Sequence, residues 1–297
     1  MNRVTGASST LWPAGPARRK RCEVSQELPP AAPARGGELR TPRPPRRVTR
    51  RPVPWALRFC VLVVYPVASL VFRLQYRHAE RIPPTGGVLL VANHVSVLDP
   101  IACARLVWDS GRVPHFLAKE SVFRGLAGRI LRAAGQIPVS RGTSTAGSSV
   151  HAAKAALDAG DVVVIYPEGS VTRDPDWWPM QSRSGVARLA LTTDAVVLPV
   201  AQWGPQRVHD YHAQRLHLRL RTPVEHLVGE PVDLSAQRAL VRAGHPLSGE
   251  LLREVTDLLM VRVREQLGEL RGQRPPAEFH PGPVRRVRPD ELPGNAA

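Results

Sequence analysis

From Gly86 onward the chain alternates short apolar runs with longer stretches in which Leu, Ala and Val recur at helical spacing. The short runs predict strands at Val88 to Ala92, His115 to Ala118, Gln136 to Val139, Val162 to Tyr166 and Val196 to Ala201. Between them, Pro100 to Trp108, Ser121 to Ala134, Ser144 to Ala159 and Ser184 to Thr192 predict helices, with Gly135 and Gly160 where C-terminal caps belong. The stretch RLHLRLRTPVEHLVGEPVDL then alternates like edge strands. Ser248 to Leu270 spaces Leu251, Val255, Leu258, Leu259, Val263 and Leu267 for one long amphipathic helix. Strands alternating with helices imply an α/β fold, a mainly parallel, mixed sheet flanked by helices.

Before Gly86 the pattern is different. In WALRFCVLVVYPVASLVFRL the uncharged run Phe59 to Phe72 is 14 residues long, roughly 21 Å of helix against a hydrocarbon core of about 30 Å. It is short for a span. Arg58 and Arg73 bracket it, Trp55 opens it and Pro66 interrupts it, a layout suited to a helix lying in the membrane interface with its cations reaching the headgroups. Spanning the bilayer and packing as a core helix are the alternatives. The chain thus divides into a tail over 1–52, a membrane-interface helical segment over 53–78, a main domain over 79–271 and a second tail over 272–297. Both tails are rich in Pro and Arg and poor in large hydrophobes, so they are expected to be disordered. No secretory leader is expected, because no apolar h-region with a cleavage site follows the first charges.

Composition modifies this picture only slightly. The formal charge is +16, but only Lys20, Lys119 and Lys154 among the 41 basic residues are lysines. Residues 1–50 hold 11 Lys and Arg against three Glu, so the charge is concentrated in the first tail. That tail lacks the interleaved aromatics and folded motifs of nucleic-acid readers, so no nucleic-acid partner is expected and an anionic membrane surface is. Cys22, Cys60 and Cys103 have no C-x-x-C spacing, which argues against a disulfide framework or a zinc site.

Chemistry collects where predicted strands end. The apolar run Val88 to Ala92 delivers into Asn93 and His94, with Asp99 five residues on. A five-residue step puts two side chains on one face of neither a helix nor a strand. Asp99 followed by Pro100 reads as an N-cap with proline at N1, so a turn entering a helix can bring the carboxylate back to the imidazole. The same residues also read as a cap beside an ordinary loop histidine. Arg141 follows the strand in GQIPVSRG; Pro167, Glu168 and Gly169 follow the one in VVVIYPEGSVTRD; VVLPVAQWG closes the set. Polar groups at the carboxyl ends of strands are where open α/β sheets bind ligands. No metal-ligand spacing supports a metal at His94, Asp99 and Glu168.

Taken in order, NHVSVLDP, GQIPVSRG, YPEGSVTRD and LPVAQWG resemble the four blocks of the glycerolphosphate and lysophosphatidic-acid acyltransferase family, over about Gly86 to Gly204. The resemblance implies transfer of a fatty acyl group from a thioester, acyl-CoA or acyl-carrier protein, to the free glycerol hydroxyl of 1-acylglycerol 3-phosphate, giving phosphatidate with no cofactor. It implies that His94 is the general base and that Asp99 holds its tautomer, in the manner of a serine-protease triad with substrate hydroxyl in place of serine. No G-x-S-x-G elbow is present. Arg141 would pair with the acceptor phosphate, Glu168, Gly169 and Ser170 would line the acceptor, and Lys119 would neutralise phosphate or donor charge. One departure stands out: the family commonly has Thr-Arg-Ser after Glu-Gly, whereas here Ser170, Val171 and Thr172 precede Arg173. Arg173, or Arg183 at the next helix start, is the candidate for the second phosphate contact. The altered block also leaves another lysophospholipid, or a glycolipid, as acceptor. A non-catalytic anionic-lipid-binding protein is the alternative of a different class. The expected location is the cytoplasmic face of the cell membrane, peripheral or monotopic.

Overall fold

A computed structural model of the chain describes residues 55–139, 146–217 and 219–282. The first tail, Arg141 and the end of the second tail lie outside the described residues. The elements are α1 (Trp55–Val71), β1 (Phe72–Arg77), β2 (Val88–Ala92), α2 (Asp99–Asp109), β3 (Pro114–Lys119), α3 (Gly125–Ala133), β4 (Ile137–Val139), α4 (Ala146–Asp158), β5 (Val162–Ile165), α5 (Gly185–Thr192), β6 (Val196–Trp203), β7 (His209–Asp210), β8 (Arg215–Leu216), β9 (Thr222–Val228), α6 (Ser235–Arg242) and α7 (Gly249–Arg271).

Seven strands form one sheet in the order β1-β9-β6-β2-β5-β3-β4, and β7 pairs with β8 in a separate hairpin. Every pair in the large sheet is parallel except β6 with β9. Strands β2 and β5, VLLVA and VVVI, are apolar at every position because both faces are covered. Leu89, Val91, Val163, Ile165 and Val197 pack into the core beneath α4, α5 and α7, while Val88, Leu90, Ala92, Val162, Val164 and Leu198 pack into the core beneath α2. The period-two alternation of a strand divides each run between the two cores. Gly135 and Gly160 have φ of 79° and 86° at their helix ends, as a left-handed cap requires.

Four expectations are revised. The helical segment expected over 53–78 ends at Val71, and Phe72–Arg77 is a strand lying along β9 from Phe72↔Thr222 to Arg77↔Leu227. That pairing also moves β9 inside the sheet, although its alternation suggested an edge; β1 takes the edge. The helix expected over Ser121 to Ala134 breaks into a 3₁₀ turn, Glu120–Phe123, and α3, because the chain reverses at Arg124 and Gly125 and packs Gly128 onto the Phe123 backbone. Finally, the second tail does not leave the domain at Gly272. Arg264 stacks on Phe279 and donates to the Ala277 carbonyl, and the His280 carbonyl accepts from the Gln181 amide.

Candidate active site

Three strand ends and the turns that follow them build the site. At the end of β2, Asn93 extends the β2–β6 ladder with its side chain: its Oδ1 accepts from the Gln202 amide at 2.8 Å and its Nδ2 donates to the Gln202 carbonyl at 3.1 Å. Gln202 returns the contact, Nε2 donating to the Asn93 carbonyl at 2.7 Å. The chain is therefore clamped immediately before His94.

Asp99 and His94 meet. His94 Nδ1 lies 2.8 Å from Asp99 Oδ2, and the same oxygen accepts from the amides of Val95 at 2.6 Å and Ser96 at 2.8 Å. This corrects the expected capping role. Asp99 is the first residue of α2, with Leu98 at the N-cap and Pro100 following it, and its carboxylate turns back over the loop rather than forward onto the helix. Three donors converging on one oxygen suit a buried carboxylate, and Asp99 is fully buried. Burial pushes its carboxyl up while the imidazole and the two amides pull it down. With Nδ1–H donating to Asp99, Nε2 carries the lone pair and is the nitrogen available for chemistry.

Glu168 and Tyr166 complete the surround of His94. The imidazole stacks on Tyr166 at 4.4 Å between centroids, with planes 21° apart. Glu168 Oε1 accepts from the His94 amide at 2.8 Å and Oε2 from the Met180 amide at 3.0 Å. Glu168 is buried, so both oxygens serve backbone groups; the role of lining the acceptor gives way to that of fixing the loop that carries His94. The Thr172 amide donates to the His94 carbonyl at 2.8 Å, tying the same two loops together a second time.

Burial pushes the Glu168 carboxyl from its ordinary 4.5 up to about 8, outweighing the two amides. The folded protein therefore holds a proton that the unfolded chain releases above pH 4.5. Glu168 stabilises the fold most at acid pH, and that contribution fades as pH rises through about 8. Glu168→Gln is expected to remove this slope: against wild type it should be less stable at pH 5, because an amide NH₂ faces a backbone N–H, with the gap narrowing by pH 8.5. Urea midpoints across that range test this, and a gap that widens with pH would contradict it.

The remaining candidates divide. Gly169 has φ +74°, and a Cβ there would stand 3.0 Å from Arg183 Nε, so glycine is required both by the backbone and by the arginine against it. Of the two arginines considered for a second anion contact, Arg183 thus lies beside the Glu168–Gly169 turn, whereas exposed Arg173 sits over the Tyr211 ring at 5.6 Å. Ser170 is half-buried in the same turn. Lys119 is exposed at the end of β3 and lines a groove of about 340 Å³ together with Arg124, Arg132, Glu120, Ser121, Phe123 and Val139. Arg141, two residues beyond Val139, lies outside the described residues.

Sequence reasoning missed Gln202 and Tyr166. The signal for Gln202 was a lone amide closing an otherwise apolar strand, VVLPVAQW; its pairing with Asn93 depends on β6 lying beside β2. Tyr166 had no comparable signal, since an aromatic at a strand end is ordinary.

Parts of the chain are similar to known proteins. An uncharacterized protein of Mycobacterium leprae (strain TN) is 30% identical over 149 residues, which make up 46% of this chain and 38% of that relative. The crystal structure of the 1-acyl-sn-glycerophosphate (LPA) acyltransferase PlsC from Thermotoga maritima superposes with a TM-score of 0.49 and 23% identity, over 69% of this chain and 75% of that one. Residues 73–203, which hold β2 through β6 and every residue of the His94 surround, match the family model Acyltransferase. This segment belongs to the acyltransferase family.

Proposed function

We propose that the protein is a membrane-peripheral lysophospholipid acyltransferase, which moves a fatty acyl group from an acyl thioester to the free glycerol hydroxyl of 1-acylglycerol 3-phosphate. The observation that carries the reading is the 2.8 Å contact between His94 Nδ1 and Asp99 Oδ2, which fixes the imidazole with Nε2 as its basic atom. A glycerol hydroxyl is a weak nucleophile at neutral pH. His94 Nε2 takes its proton as the oxygen attacks the thioester carbonyl, and Asp99 stabilises the imidazolium that forms. Collapse of the tetrahedral intermediate breaks the C–S bond, and the imidazolium gives its proton to the departing thiolate, which leaves as the thiol. The acyl group passes directly to the acceptor, so no serine or cysteine nucleophile is needed. General-base assistance of this kind contributes about 10²- to 10⁴-fold.

Anion recognition falls to cations on the same edge of the sheet. Lys119, with Arg124 and Arg132 around the 340 Å³ groove, suits a phosphate of the acceptor or of the donor. Arg141 lies two residues past Val139 in sequence, and Arg183 stands beside Gly169. Arg173, held over Tyr211, favours a second reading in which the acceptor is a different lysophospholipid or a glycolipid. An acceptor panel separates the two: radiolabelled acyl-CoA, and acyl-carrier protein as alternative donor, offered with 1-acylglycerol 3-phosphate, with lysophospholipids of other headgroups and with glycolipids. Phosphatidate as the main product supports the first reading, and a product from another acceptor alone supports the second.

The membrane assignment rests on α1. No helix among the described residues is long and apolar enough to cross a membrane. Yet Trp55, Phe59, Leu62, Val63, Val67 and Leu70 of α1 are exposed, and their i, i+4, i+7 spacing puts them on one face. The opposite face packs through Ala56, Leu57 and Ala68. An amphipathic helix of this kind lies in the interface plane, on the cytoplasmic leaflet in this reading.

A further inference from the structure

The segment Arg215–Arg221, RLHLRLR, has no part in the chemistry above, and it is built in an unusual way. Gln214 just before it and Arg221 at its end, at φ 51° and 52°, are non-glycine residues held in the left-handed region. Leu216 and Leu220 are 59% and 66% exposed. Arg215, His217, Arg219 and Arg221 are exposed as well. No Asp or Glu occurs between Asp210 and Glu225, and among the described residues none of the three arginines makes an ion pair. Two uncovered leucines among uncompensated cations are costly in water and fit one environment well: the boundary between acyl chains and anionic headgroups.

The topology sets this segment next to α1 and the site. The Arg221 amide donates to the Leu70 carbonyl at 2.9 Å, so Leu220 adjoins the exposed last turn of α1. Because β9 runs antiparallel to β6, and β6 parallel to β2, the start of β9 lies at the sheet edge where β2 ends in His94. The hairpin touches the catalytic loop directly: the His217 amide donates to the Val208 carbonyl at 2.7 Å, and Ser96 Oγ donates to the His209 carbonyl at 3.0 Å. Val97, inside the His94–Asp99 loop, is itself 48% exposed. Apolar surface therefore continues from α1 through Leu220 and Leu216 toward the loop that holds the base. No acid interrupts α1 either, since none occurs between Trp55 and Ala79.

We propose that Arg215–Arg221 is a second docking element for an anionic lipid bilayer, seated beside α1, with Leu216 and Leu220 entering the acyl boundary and Arg219 and Arg221 meeting lipid phosphates. It rests on the membrane-peripheral reading of α1 and adds its consequence: the edge of the sheet bearing His94 faces the lipid, so an acceptor reaches the base without leaving the interface.

Sedimentation of the full chain with phosphatidylcholine vesicles, and with vesicles also containing an anionic phospholipid, tests the proposal. Leu216→Ser/Leu220→Ser is expected to lower partition onto both kinds. Arg219→Gln/Arg221→Gln is expected to lower it about tenfold or more on anionic vesicles only, as two surface cations at about 1 kcal/mol each imply. Both variants should keep the wild-type melting midpoint and wild-type turnover of a dispersed short-chain acceptor. Leu62→Asp on α1 serves as the reference. If Leu62→Asp releases the protein while both hairpin variants bind as wild type, the hairpin proposal falls and the α1 reading stands; if wild type itself ignores vesicles, both fall. Loss of self-association in the hairpin variants with unchanged vesicle binding would reassign the segment to a contact between copies and also overturn the proposal.

Discussion

His94→Ala is expected to lower acyl-transfer turnover by about 10²- to 10⁴-fold while the protein folds as before. The argument is local. The ring is the only part of His94 whose loss the variant feels, since its amide still donates to Glu168 Oε1 and its carbonyl still accepts from Thr172. The loop keeps both ties, as well as the Asn93–Gln202 clamp before it. Deleting the ring gives up its stacking on Tyr166 and leaves the buried Asp99 carboxylate with the Val95 and Ser96 amides alone, a cost of about 1–3 kcal/mol. Binding of acceptor and donor, which other residues carry, should change far less than kcat. Steady-state kinetics against both substrates checks this; a fall seen mainly in KM would mean that His94 binds rather than reacts.

Asp99 carries the second large effect, and two substitutions there should differ. All three donors that reach Asp99 converge on Oδ2, from His94, Val95 and Ser96. Asp99→Ala strands all of them in a fully buried place, each at about 1–3 kcal/mol, partly offset by removing a desolvated charge. A net loss of about 2–4 kcal/mol is expected, together with a fall in turnover as large as that of His94→Ala, because the imidazole loses both its fixed tautomer and its counter-charge. Asp99→Asn can place its amide oxygen where Oδ2 lies and keep all three contacts, so stability should stay closer to wild type. Its turnover should still fall by about 10²-fold or more, since a neutral amide stabilises an imidazolium poorly. The double variant His94→Ala/Asp99→Ala should be no slower than either single one, as expected for groups that act as a unit. Equal activity of Asp99→Asn and wild type would reduce Asp99 to a loop fastener.

Why so much of this site was legible in the sequence follows from where the chemistry sits. Strands β2, β5 and β6 are apolar at nearly every position, so their ends stand out, and the residues at those ends build the site: His94 after β2, Glu168 after β5, Gln202 closing β6. The turn that returns Asp99 to His94 was legible from Asp-Pro at a helix start. What was not legible was that Asp99 lies inside the helix, with Leu98 at the N-cap, and that the Val95 and Ser96 amides reach the same oxygen as the imidazole. Glu168 was visible as a site residue, but its work, holding two backbone amides from segments 74 and 12 residues away in sequence, exists only once the loops pack. The strand β1 was hidden for a different reason: FRLQYR continues an apolar helix without a break signal, and only the partner β9 makes it a strand. For RLHLRLR the alternation suggested sheet; among its described residues Arg215 and Leu216 form the short strand β8, and Leu216 and Leu220 stay exposed.

Acceptor-dependent thiol release from a long-chain acyl-CoA, followed with purified wild type and His94→Ala in the presence and absence of 1-acylglycerol 3-phosphate, tests the central claim most directly. Direct transfer through a His94–Asp99 base predicts release by wild type only when acceptor is present, stoichiometric with phosphatidate formed, and almost none by the variant. Equal release by wild type and His94→Ala, or a burst of thiol without acceptor that leaves acyl group on the protein, would contradict it.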